Sequence, residues 1–304
     1  MRSEAFEDDP AAIVTVTPTI LAPASIGQGA DYALLKLSMV TDQDTAVMTA
    51  IRITKSGTLA NGSVLAVRIY LDDGNGVYGP EDTQLATGAF PSPLNLTLSP
   101  SQTLTTTPKV YYLVYVLASG ALIGNTIGGS VAANTDVTVT APDLVAATNF
   151  PINSGNSTVA AQELGVILSE TLINLGNVDV NTEYVVPTFV NATNLGNVPQ
   201  TYDLKAQPIT GGTPWTIGAA RGFDVFTLHA VTSAAQPSAG DFGSEDKLLT
   251  VGEYCSSTIF ALGTARCDKQ GLSVATKLWL KLGMPTITST DASQDIQVTV
   301  TTNP

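Results

Sequence analysis

The sequence predicts an all-β protein, built as two tandem antiparallel β-sandwich domains of immunoglobulin-like or jelly-roll-like type. Three observations carry that expectation. Nearly every apolar stretch is short, alternates with Thr or Ser, and stops at Gly, Pro, Asn or Asp. No long window keeps a 3.6-residue apolar period with helix-forming residues and caps. At 304 residues the chain is also about twice the size of a common single domain.

Taken in order, residues 12–20 (AIVTVTPTI) alternate apolar residues with Thr and give way at Pro23. Residues 32–40 (YALLKLSMV) and 46–57 (AVMTAIRITKSG) follow, then 63–71 (SVLAVRIYL), which leads into DDGNG. LNLTLS, VYYLVYVL, TIGGSVAA and DVTVTA complete the first set, the last ending at Pro142. Residues 110–135 carry no charge and are long enough for a membrane helix of about 20 residues. Their β-branched and aromatic half is followed by Ser119-Gly120, Gly124-Asn125 and Gly128-Gly129, so they read as two strands and not as a membrane span. Residues 148–160 (TNFPINSGNSTVA) are polar, lack apolar periodicity and are expected to be a linker. Strand-like runs then resume through ELGVILSETLI, TEYVVPTFVNA, TYDLKA, GFDVFTLHAV, ATKLWLKLGMP and DIQVTVTT. The expected division is an N-terminal arm over 1–12, sandwiches over 13–147 and 161–304, and the linker between them.

Composition narrows the function. Charged residues make up 13% of the chain, against about 25% in an average soluble protein, and Thr, Ser, Asn and Gly take their place. Thirteen Lys and Arg against 26 Asp and Glu give a net charge of −13, which argues against nucleic acid as a partner. A hydrophobic content of 44% excludes a wholly disordered chain. One His and two Cys leave little for a His-based catalytic centre or a Cys/His metal cage, so no enzyme is expected. The first residues, MRSEAFEDDP, are acidic and lack the apolar core of a signal peptide. The composition favours a secreted chain whose leader has been removed or replaced.

Some segments carry a resemblance. FVNATNLGNVPQTYDL over 189–204 is similar to a strand–turn–strand of bacterial and archaeal surface proteins with immunoglobulin-like repeats. LWLKLGMPTITSTDASQDIQVTVTT over 278–302 resembles the closing strands of such domains. VRIYLDDGNGVYGPEDTQLA over 67–86 resembles the Asp/Asn/Gly loop of secreted modular repeats, with Gly79 where that pattern has an Asp. The resemblance covers about a fifth of the chain and implies an extracellular β-sandwich protein. Such domains serve in surface layers, adhesins, stalks and filaments.

Four features bear chemistry. Asp72, Asp73, Asn75 and Asp82 are oxygen donors around Gly74 and Gly76, with Glu81 beside them. Hard cations such as Ca²⁺ take six to eight oxygens on a sharply turning chain. An Asx-rich hairpin turn uses the same residues, so a structural Ca²⁺ site and a plain turn both remain open, and no cofactor is required. Cys255 and Cys267, separated by SSTIFALGTAR, are expected to form a disulfide, free thiols being the alternative. His229, in FTLHAV, and Trp279, in KLWLKL, read as strand residues. Asn61, Asn95, Asn156 and Asn191 begin sequons permissive for glycosylation. A local echo, NLGNV at 174–178 and again at 194–198, reads as two similar turns.

The function expected is a non-catalytic structural subunit of an extracellular filament, pilus-like fibre or surface layer. It would self-assemble with copies of itself through β-strand edges. Ile13, Val14, Thr15, Val16 and Thr17 are the candidate donated strand, the alternative being a first strand that stays in its own domain. The competing function is a Ca²⁺-dependent adhesin or carbohydrate-binding surface protein, with glycans as partners. A hydrolase built around His229 ranks behind both.

Overall fold

The computed structural model describes residues 10–90, 93–209 and 215–304. Their secondary structure is all β, with three short 3-10 segments and no α-helix among the described residues. The sheets are arranged as sandwiches, as the alternation predicts. The chain divides into two units, Met1–Gln162 and Glu163–Pro304. No helix among the described residues is long and apolar enough to cross a membrane.

Unit 1 begins with β1 (Ile13–Ile20), β2 (Ser25–Gly27), β3 (Asp31–Thr41) and β4 (Ala46–Ser56). Next come β5 (Val64–Leu71), β6 (Thr83–Gly88), β7 (Leu94–Leu104), β8 (Lys109–Leu117) and β9 (Thr126–Val131). Four short strands close it: β10 (Val137–Val139), β11 (Leu144–Val145), β12 (Ile152–Asn153) and β13 (Ser157–Ala160). One sheet runs β11-β1-β3-β8-β5-β6, and the other runs β10-β4-β9-β13-β2 with β12 on β9 and β7 on β4. Period-2 alternation fills the space between them. Val14 and Val16 from β1, Leu37 and Met39 from β3, Ile51 and Ile53 from β4, and Leu113 from β8 are all fully buried. Each such side chain stabilises by about 1.5–3 kcal/mol on leaving water. In β3 a bulge between Ala33 and Leu35 shifts the phase, so Tyr32 and Leu34 point inward before it and Leu35 and Leu37 after it.

Two expected boundaries change. Residues 148–160 are not a linker: they carry β12 and β13, which pair with β9 and, in parallel, with β2. The polar face of β13 conceals its role, because only Ser157 and Val159 are buried. Of the arm expected over 1–12, residues 1–9 lie outside the described residues. Ala12 is already inside the unit: it is buried, and its N–H donates to Asp143 Oδ1 at 3.0 Å.

Unit 2 contains β14 (Val166–Leu168), β15 (Glu183–Val185), β16 (Val190–Asn194), β17 (Thr201–Ile209) and β18 (Thr216–Ile217). It continues with β19 (Val225–Thr232), β20 (Lys247–Leu248), β21 (Glu253–Tyr254), β22 (Ala275–Gly283) and β23 (Asp295–Asn303). The larger sheet runs β14-β16-β22-β19-β18, with β15 on β22 and β20 on β19; the smaller runs β21-β17-β23. Tyr202, Leu204 and Ala206 of β17 face Phe226, Leu228, Leu278 and Leu282 across the core.

Cys255 and Cys267 form the expected disulfide, and both are buried. Their loop is also tied to β19, because Thr232 donates from its N–H and from Oγ1 to the Phe260 carbonyl at 2.9 and 2.8 Å. Closing a loop of this length stabilises by about 3 kcal/mol through the unfolded chain. Replacing both cysteines by Ser is therefore expected to lower the free energy of unfolding by about 2–3 kcal/mol, read from denaturant midpoints at unchanged slope. A midpoint that does not move would remove the disulfide from the stability of unit 2.

Candidate functional site

The loop between β5 and β6 brings three of its four expected ligands together. Asp72, Asp73 and Asp82 each place a carboxylate oxygen within 4.8 Å of the others. Asn75 is bonded within the same loop: its Oδ1 accepts from the Val77 N–H at 2.7 Å and its Nδ2 donates to Glu81 Oε1 at 2.8 Å. The three carboxylates are also occupied by the loop itself. Asp72 accepts from the N–H groups of Gly74 and Gly76 at 3.1 and 3.0 Å, and from the Tyr112 hydroxyl at 2.9 Å. Asp73 accepts from the Asn75 N–H at 3.0 Å. Asp82 accepts from the N–H groups of Asp73 and Gly79 at 3.0 and 2.9 Å. Gly74 and Gly76 adopt φ of 107° and 76°, which side-chain-bearing residues rarely take.

Burial raises the Asp82 pKa to about 6; the Gly79 and Asp73 N–H bonds oppose the rise, and the Asp72 and Glu81 charges add to it. Tyr78 of the loop and Tyr112 of β8, which bonds to it, are pushed up as well, chiefly by burial. A carboxylate has about four acceptor positions, so these three could still hold a cation with their remaining lone pairs. Asp72→Ala orphans two N–H groups and a half-buried hydroxyl, an expected loss of about 1–3 kcal/mol. The loss should be the same in EDTA and in millimolar Ca²⁺ by thermal melting, whereas a loss seen only with Ca²⁺ would make the loop a metal site.

His229 lies on β19, directly opposite Lys247 of β20 on one side and Lys281 of β22 on the other. The sequence suggests an ordinary packed or surface position on a strand. In the structure both faces of β19 are covered. Phe226 and Leu228 enter the main core, while Val231 joins Phe242 and Trp279 in a second cluster on the opposite face. Trp279 is thus buried, but in this outer cluster, with its Nε1 donating to the Ser233 carbonyl at 2.9 Å. Lys281 is drawn into the same layer. Its Nζ donates to the Ala239 carbonyl at 3.1 Å, lies 3.5 Å from Glu183 and stands over the Phe242 ring.

The His229 Nδ1 is buried without a hydrogen-bond partner. A catalytic imidazole is normally oriented through such a nitrogen by a carboxylate. Burial, with the Lys281 and Lys247 charges adding to it and Glu183 opposing them, lowers the His229 pKa to about 4. An unfolded His binds its proton near 6.5, so stability present above that pH is lost as pH falls towards 4. His229→Gln is expected to flatten the fall in Tm between pH 7 and 4.5, removing about 2 kcal/mol of pH-dependent loss. An unchanged slope would assign acid sensitivity to other groups.

Of the sequons, Asn61, Asn95 and Asn156 are exposed, and Asn191 is half-buried on β16 between β14 and β22. Ile13–Thr17 belong to β1, which pairs with β3 of the same chain from Val14 to Ile20. Sequence reading missed a buried polar cluster in unit 2. Asn194, fully buried, donates to the carbonyls of Val198 and Gln270, both at 2.9 Å. Gln200, also fully buried, donates to the Gly165 carbonyl at 2.6 Å. The echo motif held part of this signal, since the Gly176 and Gly196 N–H groups both bond to the Asn two residues earlier. Only Asn194 of the two is buried, and one-dimensional spacing does not distinguish them.

No protein-family model matches the chain, and no curated protein matches its sequence. Among solved structures it is similar to a chain of the chaperone–tip adhesin complex of CFA/I fimbriae biogenesis, at 11% identity and a TM-score of 0.25. That match covers 96% of this chain and 84% of the other. It is also similar to a partial N-terminal region of an enterococcal surface protein, at 9% identity and a TM-score of 0.24, over 91% and 84% of the two chains. A fucolectin from striped bass serum matches at 9% identity and a TM-score of 0.16, over 94% and 84%. Superpositions this weak bear on neither fold nor function.

Proposed function

We propose that this chain is a non-catalytic structural subunit of an extracellular filament, pilus-like fibre or surface layer, assembled from copies of itself by exchange of β1. The observation that carries this reading is the position of β1. It is the first strand among the described residues, forms seven antiparallel pairs with β3, and plugs the core of unit 1 with Val14 and Val16. An identical strand from a neighbouring copy would make the same pairs, so exchange alters only the connection over residues 21–24. Passing β1 always to the next copy is a head-to-tail contact, which grows as an open chain unless the rotation closes a ring.

Two further features support assembly outside the cell. The exposed positions of β7 are Asn95, Thr97, Ser99, Pro100, Ser101 and Thr103, a strand face with no charge to repel a neighbouring subunit. The disulfide suits an oxidising compartment. This reading calls for no calcium ion; it is supported by the N–H donors that already bond the carboxylates of the β5–β6 loop.

Electron microscopy of the purified protein, with and without residues 1–20, tests the proposal. Filaments are expected from the full chain and not from the truncated one, and a peptide of residues 10–20 added during assembly should shorten them. Unchanged filaments in both experiments would overturn strand exchange. Glycan binding by a chain that never polymerises would favour the adhesin reading.

A further inference from the structure

We infer that unit 2 carries a second self-association surface: the free edge of β23, pairing antiparallel with β23 of another copy about a two-fold axis through Thr299. This deepens the reading of a self-assembling subunit, but it uses a different strand from β1.

Among the described residues β23 is the one long edge without a protective device. Its nine residues pair with β17 in unbroken register, with no bulge, no Pro, no Lys and one charge, Asp295. The other margins are all blunted. β1 contains Pro18, is flanked by β11 at Ile13 and Val14, and has its Val16 carbonyl taken by Asn149 Nδ2 at 2.9 Å. β7 contains Pro100 and shifts register against β4. β6 is short and pairs with β5 across an irregularity, and β2, β10, β14, β18, β20 and β21 have three residues or fewer. The inward row of β23, Ile296, Val298 and Val300, packs on the unit 2 core yet stays only partly buried. Another strand beside it would extend their cover.

Charge and parity select a second copy, and select its register. A two-fold axis perpendicular to the sheet keeps the core face on one side, so opposed residues must share parity and the axis must pass through a residue. An axis at Thr299 is the choice that pairs all nine. It sets Val298 against Val300, Ile296 against Thr302 and Gln297 against Thr301. Asp295, the one charge, then meets neutral Asn303, whereas parallel in-register pairing would set Asp295 against Asp295. Two three-stranded sheets become one continuous six-stranded sheet across the copies.

The test uses the full chain. Thr299→Glu faces Lys205 within its own sheet, a favourable pair, and faces its own copy across the axis. Light scattering on eluting protein should show the β23 dimer weakened about tenfold or more, with Tm preserved. Asn303→Asp, which sets a carboxylate against Asp295 at both ends, should act the same way. Thr299→Cys should oxidise to a disulfide-linked dimer and Gln297→Cys alone should not, while mixing Gln297→Cys with Thr301→Cys should give a crosslinked heterodimer. Absent crosslinking at Thr299, equal crosslinking at Gln297, or unchanged mass in both charge variants would overturn the inference. Filaments that persist without Thr299 crosslinks overturn β23 alone. Crosslinked dimers without filaments overturn β1 exchange alone.

Discussion

The structure depends on satisfying backbone N–H groups where strands turn back, and the chain does this with its acids. A sandwich has many connections, each turning sharply and leaving donors without a ladder partner. Asp42 takes the N–H of Ile13, Asp143 that of Ala12, and Asp136 those of Ala132 and Ala133. In unit 2, Asp246 takes the N–H groups of Gly243 and Phe260, and Asp224 takes that of Ser289. The β5–β6 loop is the densest case of the same device. Among the described residues, Asp side chains at turns thus recur as acceptors of backbone N–H groups, and the acidic cluster at 72–82 belongs to that set.

That use of charge leaves the sheet faces to neutral residues. On β22 the lysines are drawn over aromatic rings, Lys277 over Phe189 and Lys281 over Phe242. This outer layer encloses His229 between two lysines and keeps it neutral until the solution is well acidic. The same layer makes both faces of β19 apolar or covered, beside the middle strand β22. The edges receive less protection. Their defence rests on Pro, bulges and shortness, and β23 has none of these.

Much of this was legible in one dimension, because strands have a period of two and turns have a short list of residues. Alternation of apolar residues with Thr, Ser and Lys located β1, β4, β17, β22 and β23, and the isolated cysteine pair specified its own disulfide. The Asp and Gly pattern at 72–82 marked a loop of converging carboxylates. What the sequence could not decide is which groups those carboxylates serve, since N–H donors and cations call for the same oxygens. Tertiary structure brings five backbone N–H groups and Tyr112 onto them. It also recruited residues 148–160 into unit 1, where two short polar strands gain their order from β9 and β2 and not from any pattern of their own. The burial of His229, Asn194 and Gln200 was settled the same way, by layers contributed from segments distant in the chain, which local periodicity does not encode.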